Sequence, residues 1–444
     1  MNEEEVRKKE ALEISVKEGC ASNSTVSFGD TYITPAILAL NGNTVHVGIM
    51  QALVGVFSPI SQLFGSKLIE KTEKRKKIIL VSVAAQILLW TLIAVMPLYA
   101  YLTSNNSFPL YALIGFYVLV AIFGGIIHPS WFSWMGSLVK AEERGKYFSH
   151  RSVIVGLIGF VTIIIASIIL DSFKGAGFLL VGFVILFSLA AIFRILSREF
   201  LKRQYEPSDI PNERYGLSWR KYFSRKNRVG KFSIGMAAFN FSIMIASPFF
   251  AVYLLEERNL SYFMFTIVIM SSVAWNLLFL PVVGKISDRY GNKILLRIAG
   301  ILFAVTPPMW IFLQSPISII LIPQLMLGLA NAAFGIGFVN YTYGISKDKE
   351  RGSAIAHINA IAGIGVLLGS LIGGFILQHW RSEPMIFLVV FTVAAACRML
   401  VTIFFLGDIK NEKRVKKLPF SWNIMHPLRM VSQDYHSIKG LITK

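Results

Sequence analysis

Charged residues are scarce in this chain of 444 residues, since Asp, Glu, Lys and Arg make up only 16% of it and 54% is hydrophobic. A soluble protein would carry about a quarter charged residues, so the composition excludes an ordinary soluble domain. Cysteine is scarcer still. Only Cys20 and Cys397 occur, and two cysteines near or within apolar segments indicate neither a disulfide framework nor a metal site.

Apolar stretches of roughly 20 residues recur along the whole chain, and each is long enough to cross a hydrocarbon core of about 30 Å. They lack the alternation of barrel strands, so the sequence predicts an all-α polytopic membrane protein. We predict twelve transmembrane spans and number them 1 to 12 in chain order. They cover residues 21–40, 46–66, 77–99, 108–139, 148–171, 175–197, 230–255, 260–283, 293–313, 316–343, 352–378 and 384–406.

No secretory signal peptide is expected, because the N-terminal residues MNEEEVRKKEALEISVKEG are polar and contain no apolar core. We expect them to stay in the cytoplasm. The connectors after spans 2, 4, 6, 8 and 10 and both tails, with their flanking helix ends, hold all but four of the 44 bases. Such an excess marks the cytoplasmic side. It explains the net charge of +19 without nucleic-acid binding and predicts that both termini are cytoplasmic.

The longest internal polar stretch divides the chain into two sets of six spans. We therefore predict a cytoplasmic N-terminal tail (1–20), an N-terminal six-helix bundle (21–197), a basic cytoplasmic linker (198–229), a C-terminal six-helix bundle (230–406) and a basic C-terminal tail (407–444).

The two halves are copies of one six-span unit. KAEERGKYFSHRSVIVG follows span 4 and KDKERGSAIAHINAIAG follows span 10, which pairs Arg144 with Arg351. Spans 6 and 12 carry AIFRIL and AACRML, which pair Arg194 with Arg398. Corresponding connectors thus carry matching residues at a nearly constant separation, and this indicates an internal duplication.

A motif of glycines, one acid and several bases joins spans 8 and 9. It reads GKISDRYGNK, and its partner after span 2 reads GSKLIEKTEKRKK, with Ser66 and Glu73 in place of the two glycines. The first of these segments resembles the signature loop of the major facilitator superfamily of secondary transporters. The resemblance covers about residues 20 to 406. It implies two six-helix bundles around a central cavity that opens alternately to each side of the membrane.

Connector residues are predicted to form a cytoplasmic gate. Glycines there would allow a tight turn and close helix approach, and Asp288 would cap or bridge a neighbouring helix end in the outward-facing state. The predicted gate residues are Gly284, Asp288, Arg289, Gly291, Glu70, Lys71, Arg144 and Arg351.

In that superfamily the first and fourth helices of each half line the cavity, whereas the third and sixth face lipid. The resemblance therefore selects spans 1, 4, 7 and 10, and it leaves Arg194 and Arg398 on lipid-facing helices, from which long side chains can reach the interface. The predicted cavity residues are Asn23, Ser27, Asp30, Thr34, His128, Trp131, Asn240, Ser247, Gln324 and Asn331.

Asp30 is the clearest acid within the spans, and the repeat places Ile243 opposite it. Counted from Lys17, it lies about 20 Å deep at the rise of an α-helix, where a charged carboxylate is unfavourable. Counted from Lys140, His128 has a similar depth, so the two groups could exchange protons. Asp30 is predicted to bind a coupling proton or a cationic group of the substrate. It could instead bond a hydroxyl or backbone group in a purely structural role.

The predicted function is secondary active transport of a small organic solute by alternating access, coupled to protons. The alternative is a proton-driven multidrug or metabolite efflux antiporter. GVLLGSLIGG resembles the antiporter signature of the superfamily, but it lies in span 11 and Ser370 replaces its proline. Its glycines, from Gly365 to Gly374, are expected to allow close helix approach.

A sensor or a membrane enzyme on the same scaffold is less favoured, because no nucleophile–base cluster stands out. The expected partners are the solute, protons or another coupling ion, and membrane lipids. No cofactor and no nucleic acid are expected, and the protein is predicted to be a monomer in the cell membrane.

Overall fold

The structure is a computed structural model that describes residues 3–72, 74–140, 143–207, 228–313, 315–346, 351–381, 383 and 385–406. It describes the side chains of these residues apart from 144–146, 288, 351–353 and 406. The secondary structure of these ranges is helical, because in hydrocarbon a helix satisfies its own backbone polar groups. The all-α prediction is confirmed. The predicted linker and C-terminal tail lie largely or wholly outside the described residues.

The helices follow the predicted spans in order. In the N-terminal half, span 1 consists of Glu3–Phe28, the 3-10 turn Asp30–Tyr32 and Ile33–Ala39, and spans 2 to 6 are Thr44–Thr72, Arg75–Thr103, Ser107–Leu138, Arg144–Gly175 and Leu179–Arg203. In the C-terminal half, span 7 consists of Arg228–Met244, Ser247–Phe249, Phe250–Val252 and Tyr253–Glu257, and spans 8 and 9 are Tyr262–Tyr290 and Asn292–Phe312. Span 10 consists of Pro316–Leu321 and Pro323–Ile345, and spans 11 and 12 are Arg351–His379 and Ile386–Val401, the latter extended by Thr402–Leu406.

Eleven helical segments of the described chain are long and apolar enough to cross a membrane, and they correspond to spans 2 to 12. Span 1 differs from the prediction because it is divided and because its helix begins at Glu3, well before position 21. Much of the expected N-terminal tail therefore belongs to this helix. Its early residue Ala11 is buried in an apolar cluster with Ile79, Val83 and Trp134, and this packing explains the extension.

Spans 1 and 7 are interrupted at corresponding points. The first break follows Phe28, where Gly29 leaves the helical conformation, and the second follows Met244. Pro35 and Pro248 occupy the first turn after each break. A proline is tolerated there because the first-turn N–H groups of a helix have no intrahelical acceptor. The carbonyl groups before each break lose their usual partners and need other donors.

The two halves share one apolar core at one end of the bundle. We call the end with Glu3 and the connectors after spans 2, 4, 6, 8 and 10 the near side, and the opposite end the far side. The largest cluster contains Tyr32 and Ile163 of the N-terminal half together with Phe265 and Val268 of the C-terminal half. Two smaller clusters toward the near side each draw on one half only. The halves are thus packed together at the far side.

Span 11 packs through glycines on two neighbours. A Cβ added to Gly365, Gly369 or Gly373 would overlap a backbone carbonyl oxygen of span 7 in the same half. Gly363 and Gly374 lie against backbone oxygens of span 2 in the other half. The prediction that the span 11 glycines allow close helix approach is confirmed, and one of the two contacts joins the halves.

Alanine at Gly365 is expected to lower stability by about 1–3 kcal/mol, the usual cost of overpacking, because the added methyl group would overlap the Ala237 carbonyl oxygen. Gly335→Ala is the matched control, since a Cβ there meets open space and alanine favours a helix. Thermal unfolding in detergent measures both variants. Equal melting temperatures for the two would contradict this packing.

Candidate functional site

Asp30 lies at the break in span 1, and one phenol holds its carboxyl group. Tyr117 Oη of span 4 donates a hydrogen bond to Asp30 Oδ1 at 3.0 Å. Glycine at position 29 lets the Trp90 ring pack directly on the backbone, where a Cβ would overlap the ring. Trp90 also meets Tyr117 edge-on, with ring centroids 6.2 Å apart. An aromatic wall therefore backs the half-buried carboxyl group of Asp30.

Arg194 supplies positive charge to this region from within the N-terminal half. Its guanidinium group, in a residue only 7% exposed, donates to Gln86 Oε1 of span 3 at 2.9 and 2.5 Å and to Ser22 Oγ of span 1 at 3.0 Å. Arg194 and Asp30 also interact electrostatically. The arginine thus ties span 6 to spans 1 and 3 close to the break in span 1.

A second acid, Glu18, extends this polar network toward the near side. Ser197 Oγ donates to Glu18 Oε1 at 2.9 Å and accepts from Arg194 at 3.3 Å. Arg151 Nη2 of span 5 lies 3.4 Å from Glu18 Oε2, and the Arg151 guanidinium carbon stands 4.7 Å above the Trp131 ring. Buried charges are favourable only when paired and hydrogen-bonded, and this network provides both conditions.

Arg398 donates hydrogen bonds to the backbone at the break in span 7. Its guanidinium group donates to the carbonyl oxygens of Ser242 at 3.3 Å, Ile243 at 2.8 Å and Phe303 at 2.8 Å, and to Ser247 Oγ at 3.3 Å. Three of these partners belong to span 7 and the fourth to span 9. The arginine satisfies carbonyl groups that the broken helix leaves without partners, and all four of these acceptors are neutral oxygens.

The expectation that Arg194 and Arg398 extend from lipid-facing helices is wrong. Both point into their own bundles and are 7% and 2% exposed. A lipid-facing helix still has an inner face, and the polar acceptors on that face compensate a guanidinium group better than hydrocarbon would. The two arginines connect equivalent helices, spans 1 and 3 in one half and spans 7 and 9 in the other, as expected of a repeat.

Two of the predicted cavity residues instead join span 1 to span 5. Asn23 Nδ2 donates to the Val155 carbonyl oxygen at 2.9 Å, and Ser27 Oγ donates to that of Gly159 at 3.0 Å. The Asn23 side chain fills the space above Gly159, where a Cβ would overlap it. These bonds give Asn23 and Ser27 a packing role, although helical spacing places them near Asp30.

The predicted cavity residues of the C-terminal half are divided between packing and exposure. Asn240 Nδ2 donates to a carbonyl of its own helix at 2.9 Å, and the buried Gln324 donates to a carbonyl of span 8 at 2.5 Å. Ser247 accepts the hydrogen bond from the arginine of span 12. Asn331 is exposed and Thr34 of span 1 is half-buried, so these two remain accessible.

His128 and Asp30 are not at similar depths. Asp30 bonds Tyr117, and His128 follows Tyr117 on span 4 by about 16 Å at the helical rise of 1.5 Å per residue. The exposed His128 ring lies 4.7 Å from the Phe132 ring. The depth estimate was wrong because span 1 begins at Glu3, so Lys17 does not mark the level of the membrane surface.

The polar residues that surround Asp30 and continue toward the near side were not predicted from the sequence. Glu18 was assigned to the N-terminal tail, and Gln86 lies on a helix that was expected to face lipid. The sequence does contain a pattern that indicates some of them. Polar residues follow one another at steps of three and four, namely Ser15, Glu18, Ser22 and Thr25, and this spacing places them on one helical face. Three of them are buried and Ser22 is half-buried.

The near-side motif forms a turn at Gly291. This glycine has φ 85° and ψ 167°, a conformation that is essentially restricted to glycine. Ser287 Oγ donates to Asn292 Oδ1 across the turn at 2.7 Å, and Asn340 Nδ2 of span 10 donates to Ser287 Oγ at 3.4 Å. The predicted tight turn is confirmed at this glycine. At Gly284 a Cβ meets open space, so close approach is not seen there.

The remaining predicted gate residues surround this side of the bundle. Arg289 is exposed, with its guanidinium carbon 5.4 Å from the ring of the following tyrosine. Glu70 and Lys71 are exposed in the last turn of span 2. The side chains of three residues lie outside the part of the chain that the structure describes, namely Asp288, Arg144 and Arg351.

Polar contacts fasten the halves together at the far side. Asp171 at the end of span 5 accepts from the backbone N–H of Tyr262 at 2.7 Å and of Phe263 at 2.8 Å. These two donors begin span 8 of the other half, where a carboxylate complements the helix dipole. Tyr32 Oη lies 2.8 Å from Thr266 Oγ1 in a second contact between the halves. We call the contact of Asp171 with Tyr262 and Phe263 the far-side cap.

Alanine at Gly291 is expected to destabilise the protein by about 1–3 kcal/mol, because the turn holds a backbone conformation that alanine adopts only with strain. Gly284→Ala is the control within the same motif, since its Cβ meets open space. Melting temperatures in detergent compare the two variants. A Gly291→Ala protein as stable as Gly284→Ala would show that the strained turn is dispensable.

Comparison with known proteins agrees with this architecture. The family model described as Major Facilitator Superfamily matches residues 20–275 and 232–434. Among solved structures, the nucleoside transporter NupG superimposes with a TM-score of 0.64 at 14% identity over 92% of this chain and 100% of that one. A bacterial homologue of the iron transporter ferroportin in its inward-facing state gives 0.66 at 13% identity, over 90% and 98%.

Curated relatives match over shorter stretches. Multidrug resistance protein 1 of Bacillus subtilis (strain 168) is 26% identical over 123 residues, which are 28% of this chain and 31% of that protein. The aligned parts span between 22% and 31% of the length of the curated relatives. Since the family model matches both halves, with the fold of the solved transporters, the chain belongs to the major facilitator superfamily, and it is a secondary transporter rather than an enzyme.

Proposed function

We propose that this transporter moves a small organic solute in a proton-coupled cycle and that Asp30 binds the coupling proton. The observation that carries the proposal is the place of its carboxyl group, at a helix break inside the bundle with one phenolic donor, Tyr117, at 3.0 Å. The repeat has Ile243 at the matching position, so the acid is not required by the shared architecture of the halves.

The chemistry of this position suits reversible protonation. An ionised carboxylate within a membrane is unfavourable, whereas Tyr117 and the positive charge of Arg194 favour the ionised form. These opposing influences allow the carboxyl group to take up or lose a proton when its access to water changes. Proton transfer to His128 would need intermediate carriers, since His128 lies about three helical turns beyond Tyr117 along span 4.

Alternating access would exchange the far-side contacts for near-side ones. The described conformation has a shared core and the cap formed by Asp171 at the far side. In this proposal Asp288 and Arg289 of the near-side motif would close the opposite side when the far side opens, with Asp288 capping or bridging a neighbouring helix end. The bases of the near side favour a cytoplasmic location for it in a cell membrane.

A second candidate is proton-driven efflux of drugs or metabolites. It is favoured by the partial similarity to a protein named for multidrug resistance and by the glycine run of span 11, which resembles an antiporter signature. The sign of the proton movement distinguishes the candidates in proteoliposomes with a pH gradient and a panel of solutes. Symport carries the proton with the solute, whereas antiport carries it in the opposite direction.

Asparagine at Asp30 is expected to abolish solute accumulation driven by a pH gradient, because an amide cannot take up and release the proton. Exchange of labelled for unlabelled solute across the same membrane should persist, since it needs no net proton movement. The control is Glu13→Gln, which changes an exposed acid on the same helix. Full accumulation with unchanged pH dependence in Asp30→Asn would refute the role of Asp30.

Asparagine at Asp171 is expected to favour opening of the far side, because the amide loses the negative charge and one of two acceptor oxygens. A charge-assisted hydrogen bond contributes about 1.5–3 kcal/mol, so the open fraction should rise by roughly tenfold or more. Ala166→Cys, in the shared core, reports the opening through its reaction with an impermeant maleimide in a background without Cys20 and Cys397.

The control for Asp171→Asn is Glu256→Gln, which removes the exposed ion pair with Arg381 inside one half. This variant should leave the labelling rate of Ala166→Cys unchanged. If both variants label at the same rate as the parent, the far-side cap does not hold the halves together.

A further inference from the structure

A basic cavity lies at the near-side ends of spans 3 and 6, away from Asp30. Its volume is about 540 Å³. Four bases and one acid line it together with three apolar residues. The lining residues are Lys74, Lys76, Lys77, Leu80, Val81, Ala84, Arg198 and Glu206.

A buried arginine between Lys74 and Lys76 fixes the start of span 3 beside this cavity. Arg75 is fully buried and donates to Ser137 Oγ at 2.7 Å, to the Ser133 carbonyl at 3.1 Å and to the Pro207 carbonyl at 2.8 Å. These bonds hold the start of span 3 against span 4 and against the segment that follows span 6. The cavity is therefore built on a rigid base, although its basic side chains are long.

The one acid that lines the cavity already has a hydrogen-bond donor and a basic neighbour. Glu206 Oε1 accepts from the backbone N–H of Lys76 at 3.1 Å and lies 3.4 Å from Arg75 Nε. Lys76 Nζ donates to the carbonyl oxygens of Lys202 and Gln204 at the end of span 6. Glu206 and Lys76 thus bond to backbone groups at the helix ends. The charge of the remaining three bases determines which ligands the cavity attracts.

Lys74, Lys77 and Arg198 are these three bases. Lys74 and Lys77 are exposed, and within the described residues neither side-chain amine donates a hydrogen bond. Among the contacts of the described part of the chain, Arg198 donates through Nε, in a long contact of 3.4 Å with the Leu80 carbonyl. Three cationic groups with free donors at one cavity match the oxygens of a phosphate group.

Apolar surface continues from this cavity along the outside of the bundle. Val81 lines the cavity and is 59% exposed, and Leu88 and Val95 follow it at steps of seven residues with 61% and 44% exposure. A step of seven keeps residues on nearly one line of a helix. Ile195 on span 6, also exposed, lies one turn from Arg198. A ligand here meets cations at one end and a lipid-facing apolar surface at the other.

We infer that this cavity binds the phosphate group of an anionic phospholipid whose acyl chains lie along spans 3 and 6. Basic pockets between transmembrane helices at the membrane surface are suited to such headgroups. The repeat supports the inference, because the positions of the C-terminal half that match Lys74, Lys76 and Lys77 hold the uncharged residues Asn292, Ile294 and Leu295. The basic cluster is specific to one half, so the duplicated fold does not require it.

Thermal unfolding of the delipidated protein in detergent tests the inference with dioleoylphosphatidylglycerol as the probe. The expected result is a rise in melting temperature that dioleoylphosphatidylcholine does not reproduce and that weakens with salt. The variant K74Q/K77Q/R198Q should bind the probe more weakly by about fivefold for each base removed. The charge-preserving variant K74R/K77R/R198K should retain the response and shows that the site tolerates substitution.

The matched control is K9Q/K17Q/K67Q, which removes three exposed near-side lysines outside the cavity and should respond like the parent. An equal response of K74Q/K77Q/R198Q and this control would overturn the inference, as would equal stabilisation by phosphatidylcholine. Inorganic phosphate forms a separate arm. Stabilisation by millimolar phosphate without any by phosphatidylglycerol would identify a soluble anion as the ligand and overturn the lipid assignment.

Discussion

Hydrocarbon offers no hydrogen bonds to a protein backbone, and the structure depends on this constraint. Unbroken helices meet it by themselves, but spans 1 and 7 are interrupted. At the second break, Arg398 donates to the stranded carbonyl groups of Ser242 and Ile243. At the first, Asp30 receives a hydrogen bond from Tyr117. The proposed proton site therefore coincides with a place where regular backbone bonding has been given up.

The buried arginines of the two halves donate to different kinds of acceptor. Each has a buried arginine that connects the sixth helix of the repeat to its first and third helices. Arg194 contacts side chains, mainly Gln86, within a network that includes Glu18, whereas Arg398 contacts mostly backbone carbonyl groups. The acidic partners are thus concentrated in the N-terminal half. This asymmetry suits a mechanism in which the N-terminal half responds to protonation and the C-terminal half keeps its internal structure.

Hydropathy and the internal repeat were sufficient to predict the helical class and the order of the helices, and the resemblance of GKISDRYGNK to a signature loop indicated the family. They could not predict the helix that begins at Glu3, because its near end is held by packing of Ala11 on other helices rather than by its own hydrophobicity. Helical spacing identified the face of Asp30, but Asn23 and Ser27 on that face bond span 5. Spacing gives the direction of a side chain on its helix and not the neighbour that it meets.

The contact between spans 2 and 11 has a consequence for motion. It brings Gly48, Gly363 and Gly374 against backbone atoms across the boundary between the halves, and Gly55 against the Val366 side chain. Glycine has no side-chain rotamers, so such a surface gains little rotational freedom when it parts and loses little when it re-forms. The side-chain entropy at these glycine contacts should therefore change little when the two bundles separate and rejoin. Small differences in interaction energy then decide which of the two arrangements is favoured.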